Sequence, residues 1–386
     1  MNRSLFSLLG LIALWSLFYA GVKYFFWWVY ADDFAPTLEG ISGYVLLWSM
    51  IAYIIGGPLY ARYSERIMLF MALAIGMIFF IWALLLPPVS PVFFNISMAG
   101  IGLAYSLYVI GKNTLIGREI ATSTLWSATI WAFTTVVFIV FLVLGTVIGS
   151  KIWETEGLLF AWICYFIGLL VFVGGDLFIT ETRRETSVFR ASWALYKKLF
   201  SRYAIFMIGL ACFWQISVEA SQVAINYSKD IFDTSNSVSS LLLLFSSVGA
   251  IIWNIISVKF SHMRLRAFSI FSSIFIIIIF WFSSILDLAK NLDQYAIVQG
   301  LAFLVWLFFG GAVNLCESYF YSLLGNDEDK DYTSALYGFT LSFVWAIMMF
   351  ISEKILHTGS YGGISIFLWF LAIIALYGGR RGIEMK

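Results

Sequence analysis

Twelve long apolar runs constrain the fold of this 386-residue chain more than any other feature. A hydrocarbon core of about 30 Å needs roughly 20 apolar residues in each helix that crosses it, so each run predicts one membrane span. Charged residues make up only 12% of the chain, about half the roughly 25% usual in soluble domains. This composition excludes a soluble enzyme, a disordered protein and a secreted disulfide scaffold. The predicted spans 1 to 12 are 5–30, 41–60, 67–86, 92–111, 125–148, 158–179, 203–226, 238–258, 265–286, 295–323, 332–352 and 361–379.

Residue types that carry chemistry in soluble enzymes are scarce. His262 and His357 fall in short polar connections, and Cys164, Cys212 and Cys316 each lie inside an apolar run. The chain has no metal-binding His or Cys motif, no phosphate-binding glycine loop and no nucleophile elbow. Its net charge of +1 offers no field that would attract nucleic acid. We therefore expect no enzymatic activity, no cofactor, no metal and no nucleic-acid partner.

The most polar stretch of the chain, residues 180–202, divides the twelve spans into six and six. It predicts an N-terminal six-helix bundle over 1–180, a cytoplasmic linker over 181–202 and a C-terminal six-helix bundle over 203–386. We expect the linker to contain a short amphipathic helix that lies at the membrane surface.

The distribution of Lys and Arg predicts the orientation. With the N-terminus inside, 18 of these residues fall on the inner side and 4 on the outer side, while Lys23 lies within span 1. Both termini are therefore predicted to be cytoplasmic in a multi-pass protein of the cytoplasmic membrane. The loop 327–331 is acidic although it lies inside by this count, but acidic residues contribute little to orientation.

The loop after span 2 carries a family motif. It reads Gly57-Pro-Leu-Tyr-Ala-Arg-Tyr-Ser-Glu-Arg66, and Gly57, Leu59, Arg62 and Arg66 match the pattern G-x-L-a-D-r-x-G-r-r. Ala61 stands in place of the Asp, and Ser64 in place of the second Gly. With twelve spans and a central linker, the chain resembles the major facilitator superfamily of transporters. The resemblance implies an all-α polytopic membrane protein with twelve transmembrane helices in two pseudo-symmetric halves, and a cytoplasmic gate at Gly57, Arg62 and Arg66. A plain anchor by positive charge is the alternative for this loop.

Two further segments bear on the substrate. The stretch 104–112, Ala-Tyr-Ser-Leu-Tyr-Val-Ile-Gly-Lys, is faintly similar to the A-Y-S-P-x-K segment of lysophospholipid transporters, without its proline. Span 5 contains Gly145 and Gly149 but lacks the G-x-x-x-G-P signature of antiporters, which argues mildly against drug–proton antiport.

Polar side chains form stripes on three spans. They recur at helical spacing on span 1 (Ser16, Tyr19, Lys23, Trp27), span 7 (Gln215, Glu219, Gln222, Asn226) and span 10 (Gly310, Asn314, Glu317, Tyr321). Lipid would penalise such stripes, and the resemblance implies that helices 1, 4, 7 and 10 line a central cavity. Hydrogen bonding between helices is the alternative. The candidate substrate-binding, ion-binding or gating residues are Lys23, Glu219, Glu317, Gln215, Gln222, Asn314, Tyr19 and, from span 4, Tyr105.

The resemblance implies a secondary active transporter that moves a small organic solute by alternating access. Desolvation favours the protonated form of a carboxylate, so H⁺ is the expected coupling ion, with Na⁺ left open. The expected partners are thus a small-molecule substrate, a coupling ion and the lipid bilayer. A non-transporting receptor or accessory subunit is an alternative because the loop motif is degenerate. An integral-membrane enzyme acting on lipids is a second alternative.

Overall fold

The structure is a computed structural model that describes residues 5–13, 15–17, 38–63, 65–85, 91–123, 125–145, 193–234, 236–326, 329–357 and 361–385. These residues form helices joined by short turns, and no strand occurs in these ranges. The helices are α1 Leu5–Leu17, α2 Leu38–Arg62, α3 Glu65–Leu85, α4 Pro91–Thr122, α5 Ser127–Gly145, α6 Trp193–Phe232, α7 Asn236–Ser257, α8 Arg264–Phe280, α9 Phe282–Asn291, α10 Tyr295–Gly325, α11 Lys330–His357 and α12 Tyr361–Glu384.

Described helices cover ten of the predicted spans in whole or in large part. Span 1 is described only as far as α1, and span 6 lies outside the described residues. Within the described ranges, six helical stretches are long and apolar enough to cross a membrane: Ser127–Gly145, Trp193–Phe232, Leu242–Phe280, Tyr295–Gly325, Lys330–Ser352 and Tyr361–Glu384. The prediction of an all-α membrane protein is confirmed at this level.

The chain forms two compact units. Unit 1 comprises Met1–Ser123, Val137–Arg202 and Leu323–Phe343, and unit 2 comprises Thr124–Val136, Tyr203–Ser322 and Val344–Lys386. Whether 1–180 and 203–386 act as separate halves stays a prediction, because residues 146–192 are not described.

Unit 1 is built on close packing of α4 against α2 and α3. The Tyr60 hydroxyl of α2 donates to the Leu107 carbonyl of α4 at 2.6 Å. A Cβ on Gly111 of α4 would overlap this same hydroxyl. A small residue here therefore lets two apolar helices approach while a buried hydroxyl finds its partner.

Unit 2 packs α12 against α6 and α8 through glycines. A Cβ on Gly209 of α6 would lie 2.8 Å from the backbone of Gly378 in α12. A Cβ on Gly382 would overlap the Phe206 ring, and one on Gly379 would overlap the Phe268 ring of α8. Small residues at such crossings let dispersion contacts replace the hydrophobic drive that lipid does not supply.

Two elements differ from the sequence prediction. The described part of the linker, 193–202, is not a separate surface helix but the beginning of the 40-residue α6. Span 9 is broken at Trp281 between α8 and α9. The Ser283 N–H at this break donates to Ser365 Oγ of α12 at 2.9 Å, so a neighbouring helix satisfies a polar group at the kink.

Candidate functional site

The polar stripe of α6 lies on an accessible helix face. Gln215, Glu219 and Asn226 are half-buried, and Gln222 is exposed. Gln222 Nε2 donates to Asn226 Oδ1 at 3.3 Å. Hydrocarbon does not solvate amides and carboxylates, so contact with lipid is unfavourable for this face of a membrane-spanning helix.

Glu219 is the acid of this stripe. The Ser352 side chain of α11 faces its carboxylate. The Ser352 hydroxyl is buried, and it forms no hydrogen bond with any other residue in the described ranges. Glu219 is thus half-buried on α6 and faces a neutral hydroxyl on α11.

Glu317 of α10 lies at a buried contact with α6. It is 2% exposed, and Trp214 Nε1 of α6 donates to its Oε2 at 3.0 Å. The Phe309 ring packs edge-on against both Trp214 and Trp306, with centroids 4.9 Å apart in each pair. Trp306 Nε1 donates to Ser221 Oγ of α6 at 2.5 Å. The Trp214 indole therefore holds the Glu317 carboxylate, and the Phe309 ring packs against this indole.

Asn314, three residues before Glu317, joins α10 to α7 and α5 through its side-chain amide. Its Nδ2 donates to the carbonyl and Oδ1 oxygens of Asn254 in α7, at 3.0 and 3.2 Å, and lies 3.4 Å from the Ala128 carbonyl of α5. A Cβ on Gly310 would lie 2.7 Å from the Ala250 carbonyl, so α7 and α10 are in close contact. These contacts favour the helix–helix interpretation of Asn314 over direct contact with a solute.

A half-buried cation lies near the start of α5 in the same unit. Arg264 Nη2, at the start of α8, donates to Ser127 Oγ at 3.1 Å, and its guanidinium lies 4.9 Å from the Tyr319 ring centroid. Trp131 of α5 stacks on Tyr321 of α10 at 4.7 Å. Together with Asn314, these contacts fix the beginning of α5 on α8 and α10.

In unit 1, the end of α2 meets the beginning of α11. A Cβ on Gly57 would overlap the Tyr196 hydroxyl and lie 3.1 Å from Ala335 Cβ. Tyr196 OH donates to the Ile54 carbonyl at 2.8 Å, and its ring packs edge-on against Tyr332 at 5.4 Å. Gly57, a predicted gate residue, is therefore covered by α6 and α11.

The same turn of α11 is also bonded to α4. Thr114 Oγ1 donates to Asp331 Oδ1 at 3.2 Å, and Ser334 Oγ donates to the Ile110 carbonyl at 3.2 Å. Asp331 and Ser334 are buried, although sequence reasoning noted Asp331 only as part of an acidic loop. We name the residues Ile54, Gly57, Ile110, Thr114, Tyr196, Asp331, Tyr332, Ser334 and Ala335 the α2–α4–α11 cluster.

The two predicted gate arginines lie at the end of α2 and at the beginning of α3. Arg62 is exposed, and its guanidinium lies 5.5 Å from the ring of the neighbouring Tyr63. Arg66 is half-buried. The buried acid nearby is Glu65, whose Oε1 lies 3.9 Å from Nη1 of Arg118 in α4. Gly57 thus has a defined packing role, and the contact between Glu65 and Arg118 joins α3 to α4 in the same unit.

The remaining candidates are less informative. Tyr105 is half-buried on α4, and its neighbour Tyr108 stacks on Trp15 of α1 at 4.1 Å. Tyr19 and Lys23 lie outside the described residues. Across the described ranges, no three His, Cys, Asp or Glu side chains form a group that could hold a metal ion.

Solved structures of transporters are similar to this chain over almost its whole length. The human organic anion transporter MFSD10 (TETRAN) gives a TM-score of 0.73 at 12% identity, covering 98% of both chains. The fucose:proton symporter FucP of E. coli, which is a major facilitator superfamily transporter, gives 0.72 at 13% identity and 98% coverage of both. A bacterial homologue of the iron transporter ferroportin gives 0.69 at 12% identity and 99% coverage of both.

No protein-family model matches the sequence, and no curated protein matches it. The likeness therefore rests on structure, and it shows that the chain has the fold of major facilitator superfamily transporters. With its long apolar helices, it is an integral, multi-pass membrane protein.

Proposed function

We propose that this protein is a secondary active transporter that moves a small organic solute by alternating access. The observation that carries the proposal is the accessible polar face of α6 on a fold shared with transporters. A membrane-spanning helix gains nothing from the half-buried Gln215 and the exposed Gln222 unless they line a water-filled path. The twelve-span arrangement in two halves, 1–180 and 203–386, belongs to this proposal and follows from the positions of the apolar runs.

Glu317 is the proposed proton site. It is a buried carboxylate on a membrane-spanning helix that accepts a hydrogen bond from a neutral indole, and acids in such positions mark proton relays in transporters. The fucose:proton symporter with the same fold gives a precedent for proton coupling. Glu219 is the second candidate because it is more accessible and faces Ser352.

The α2–α4–α11 cluster is the proposed inner gate. The excess of Lys and Arg on this side of the predicted spans supports a cytoplasmic location for the cluster and for both termini. Its contacts join the end of α2 and the middle of α4, from the first six spans, to the beginning of α11. Breaking them would open a path between these helices on the cytoplasmic side.

The first experiment is a screen in proteoliposomes that contain a pH-sensitive dye. Sugars such as L-fucose, organic anions and lysophospholipids are added outside, and an internal pH change that requires the protein marks a co-transported solute. Glu317→Gln is the matched variant, since it keeps the size of the side chain and removes the titratable group. A solute that moves without a pH change would support transport without proton coupling.

A non-transporting receptor or accessory protein is the second candidate function. The exposed Arg62 and the Ala61 that replaces the motif aspartate favour it. A protein of this kind would bind a solute from the panel, seen as a rise in melting temperature, without moving it. Uptake of any solute decides against this alternative.

A further inference from the structure

The beginning of α6 presents two different faces. Tyr196, Leu199 and Tyr203 are buried, with at most 8% exposed. Trp193, Lys197 and Phe200 recur at i, i+4 and i+7 on one stripe of the exposed face. Trp193 is 74% exposed and Phe200 is 43% exposed. Large apolar rings beside a lysine are typical of a helix that contacts a membrane surface.

The length of α6 places this stripe near lipid headgroups. Its 40 residues extend about 60 Å at 1.5 Å per residue, about twice the hydrocarbon thickness. Span 7 is predicted to begin at 203, so residue 197 lies about 9 Å along the helix from it. The headgroup layer is about 5–8 Å deep on each side, which a lysine side chain at that height can reach.

The charge of this stripe is of one sign. The sequence contains no Asp or Glu between Glu185 and Glu219. Lys197 and Lys198 are exposed, and neither forms an ion pair with any residue in the described part of the chain. Anionic headgroups of the cytoplasmic leaflet attract such cations by about 1 kcal/mol for each Lys or Arg.

We propose that the exposed face of Trp193–Phe200 binds anionic phospholipid headgroups of the cytoplasmic leaflet. Lys197 and Lys198 contact the phosphates, while Phe200, about 4.5 Å along the helix from the start of span 7, enters the interface. The placement rests on the proposed cytoplasmic orientation. Tyr196 on the same turns covers Gly57 and donates to Ile54, so bound anionic lipid stabilises the closed α2–α4–α11 cluster.

The test is lipid titration of the purified full chain by native mass spectrometry, with phosphatidylglycerol and phosphatidylcholine as probes. The wild type should bind phosphatidylglycerol more tightly. The double variant K197Q/K198Q should lose about 25-fold in that preference, from about 1 kcal/mol per cation and 1.4 kcal/mol per tenfold. Inorganic phosphate should not displace the lipid, because it lacks the acyl chains that the Phe200 ring meets.

The matched control replaces two arginines elsewhere on the predicted cytoplasmic side. Arg380 and Arg381 both pair with Glu384, at 3.1 and 3.8 Å, so R380Q/R381Q should keep the preference. K197R/K198R keeps both charges and should restore binding. Equal loss in K197Q/K198Q and R380Q/R381Q, or a wild type that does not distinguish the two lipids, would overturn the proposal.

Hydrogen exchange on the wild type gives a second measurement that needs no variant. Amides of 193–202 should exchange more slowly in nanodiscs that contain phosphatidylglycerol than in pure phosphatidylcholine, and equal rates contradict the proposal. Neither measurement depends on transport, so this site and the proposed function can fail independently.

Discussion

Adding one methyl group at Gly57 should prevent the α2–α4–α11 cluster from closing. In the structure, a Cβ on Gly57 would overlap the Tyr196 hydroxyl and lie 3.1 Å from Ala335 Cβ and 3.4 Å from Tyr332 Cα. Moving the Tyr196 ring aside would break its hydrogen bond to the Ile54 carbonyl and would still leave the close contact with Ala335 on α11. Gly57→Ala should therefore disfavour the closed arrangement.

The magnitude follows from the cost of overpacking. An extra methyl in a well-packed site costs about 1–3 kcal/mol, which is about 5- to 140-fold in the equilibrium between closed and open clusters at 1.4 kcal/mol per tenfold. Gly300→Ala is the matched control, because no atom lies within 4 Å of a Cβ at Gly300 in α10. Both Gly→Ala changes gain about the same helix propensity, roughly 1 kcal/mol. The difference between the effects of the two variants therefore measures the cost of the steric overlap at Gly57.

Cysteine labelling measures the effect without a known substrate. Ser334 is fully buried in the cluster, so Ser334→Cys in a background that lacks the three native cysteines reports opening. A membrane-impermeant maleimide, applied to inside-out vesicles, should label this cysteine about 5- to 140-fold faster when Gly57→Ala is present. The Gly300→Ala rate should equal that of the parent. Equal rates in all three proteins would refute the packing argument.

Two further predictions concern residues of the polar stripes. Asn314→Leu should lower the free energy of unfolding by about 1–2 kcal/mol, because it removes the donor to Asn254. A thermal melt in detergent checks this. The double variant Asn314→Leu with Asn254→Leu should lose less stability than the sum of the two single changes. We hypothesise that Lys23 pairs with Glu219 when the outer side closes. Removing one partner of a buried pair costs about 3–5 kcal/mol. Lys23→Ala should therefore impair transport and make the outer side more accessible to impermeant labels. The exchange of charges, Lys23→Glu with Glu219→Lys, should restore part of the activity, and a swap as inactive as either single variant would favour direct contact with the solute.

The helical repeat explains why part of the site could be predicted from sequence. Spacing alone placed Gln215, Glu219, Gln222 and Asn226 on one face of a span, and the structure finds that face accessible. The motif after span 2 marked Gly57 as a gate residue, and the structure places this small residue at a close approach to Ala335. The stripe could be predicted because its geometry is local to one helix, whereas the neighbours of Gly57 lie on α6 and α11.

Contacts between helices could not be predicted, because they depend on the register between distant segments. Nothing in the sequence near Asn314 indicates Asn254 as its partner, or Trp214 as the donor to Glu317. Asp331 was part of an acidic loop of unexplained charge, and only its burial against Thr114 gives it a role. The continuity of α6 through residue 202 was also missed, because a change from polar to apolar composition does not end a helix.

The most direct test of the central claim is accumulation of a solute identified in the proteoliposome screen, driven by an imposed pH gradient. The wild type should concentrate the solute inside and lose this accumulation when an ionophore collapses the gradient. Glu317→Gln should abolish accumulation but keep exchange of labelled for unlabelled solute, because the carboxylate carries the proton and the amide still accepts the indole bond from Trp214. Accumulation by Glu317→Gln at the wild-type level would contradict proton coupling at this residue.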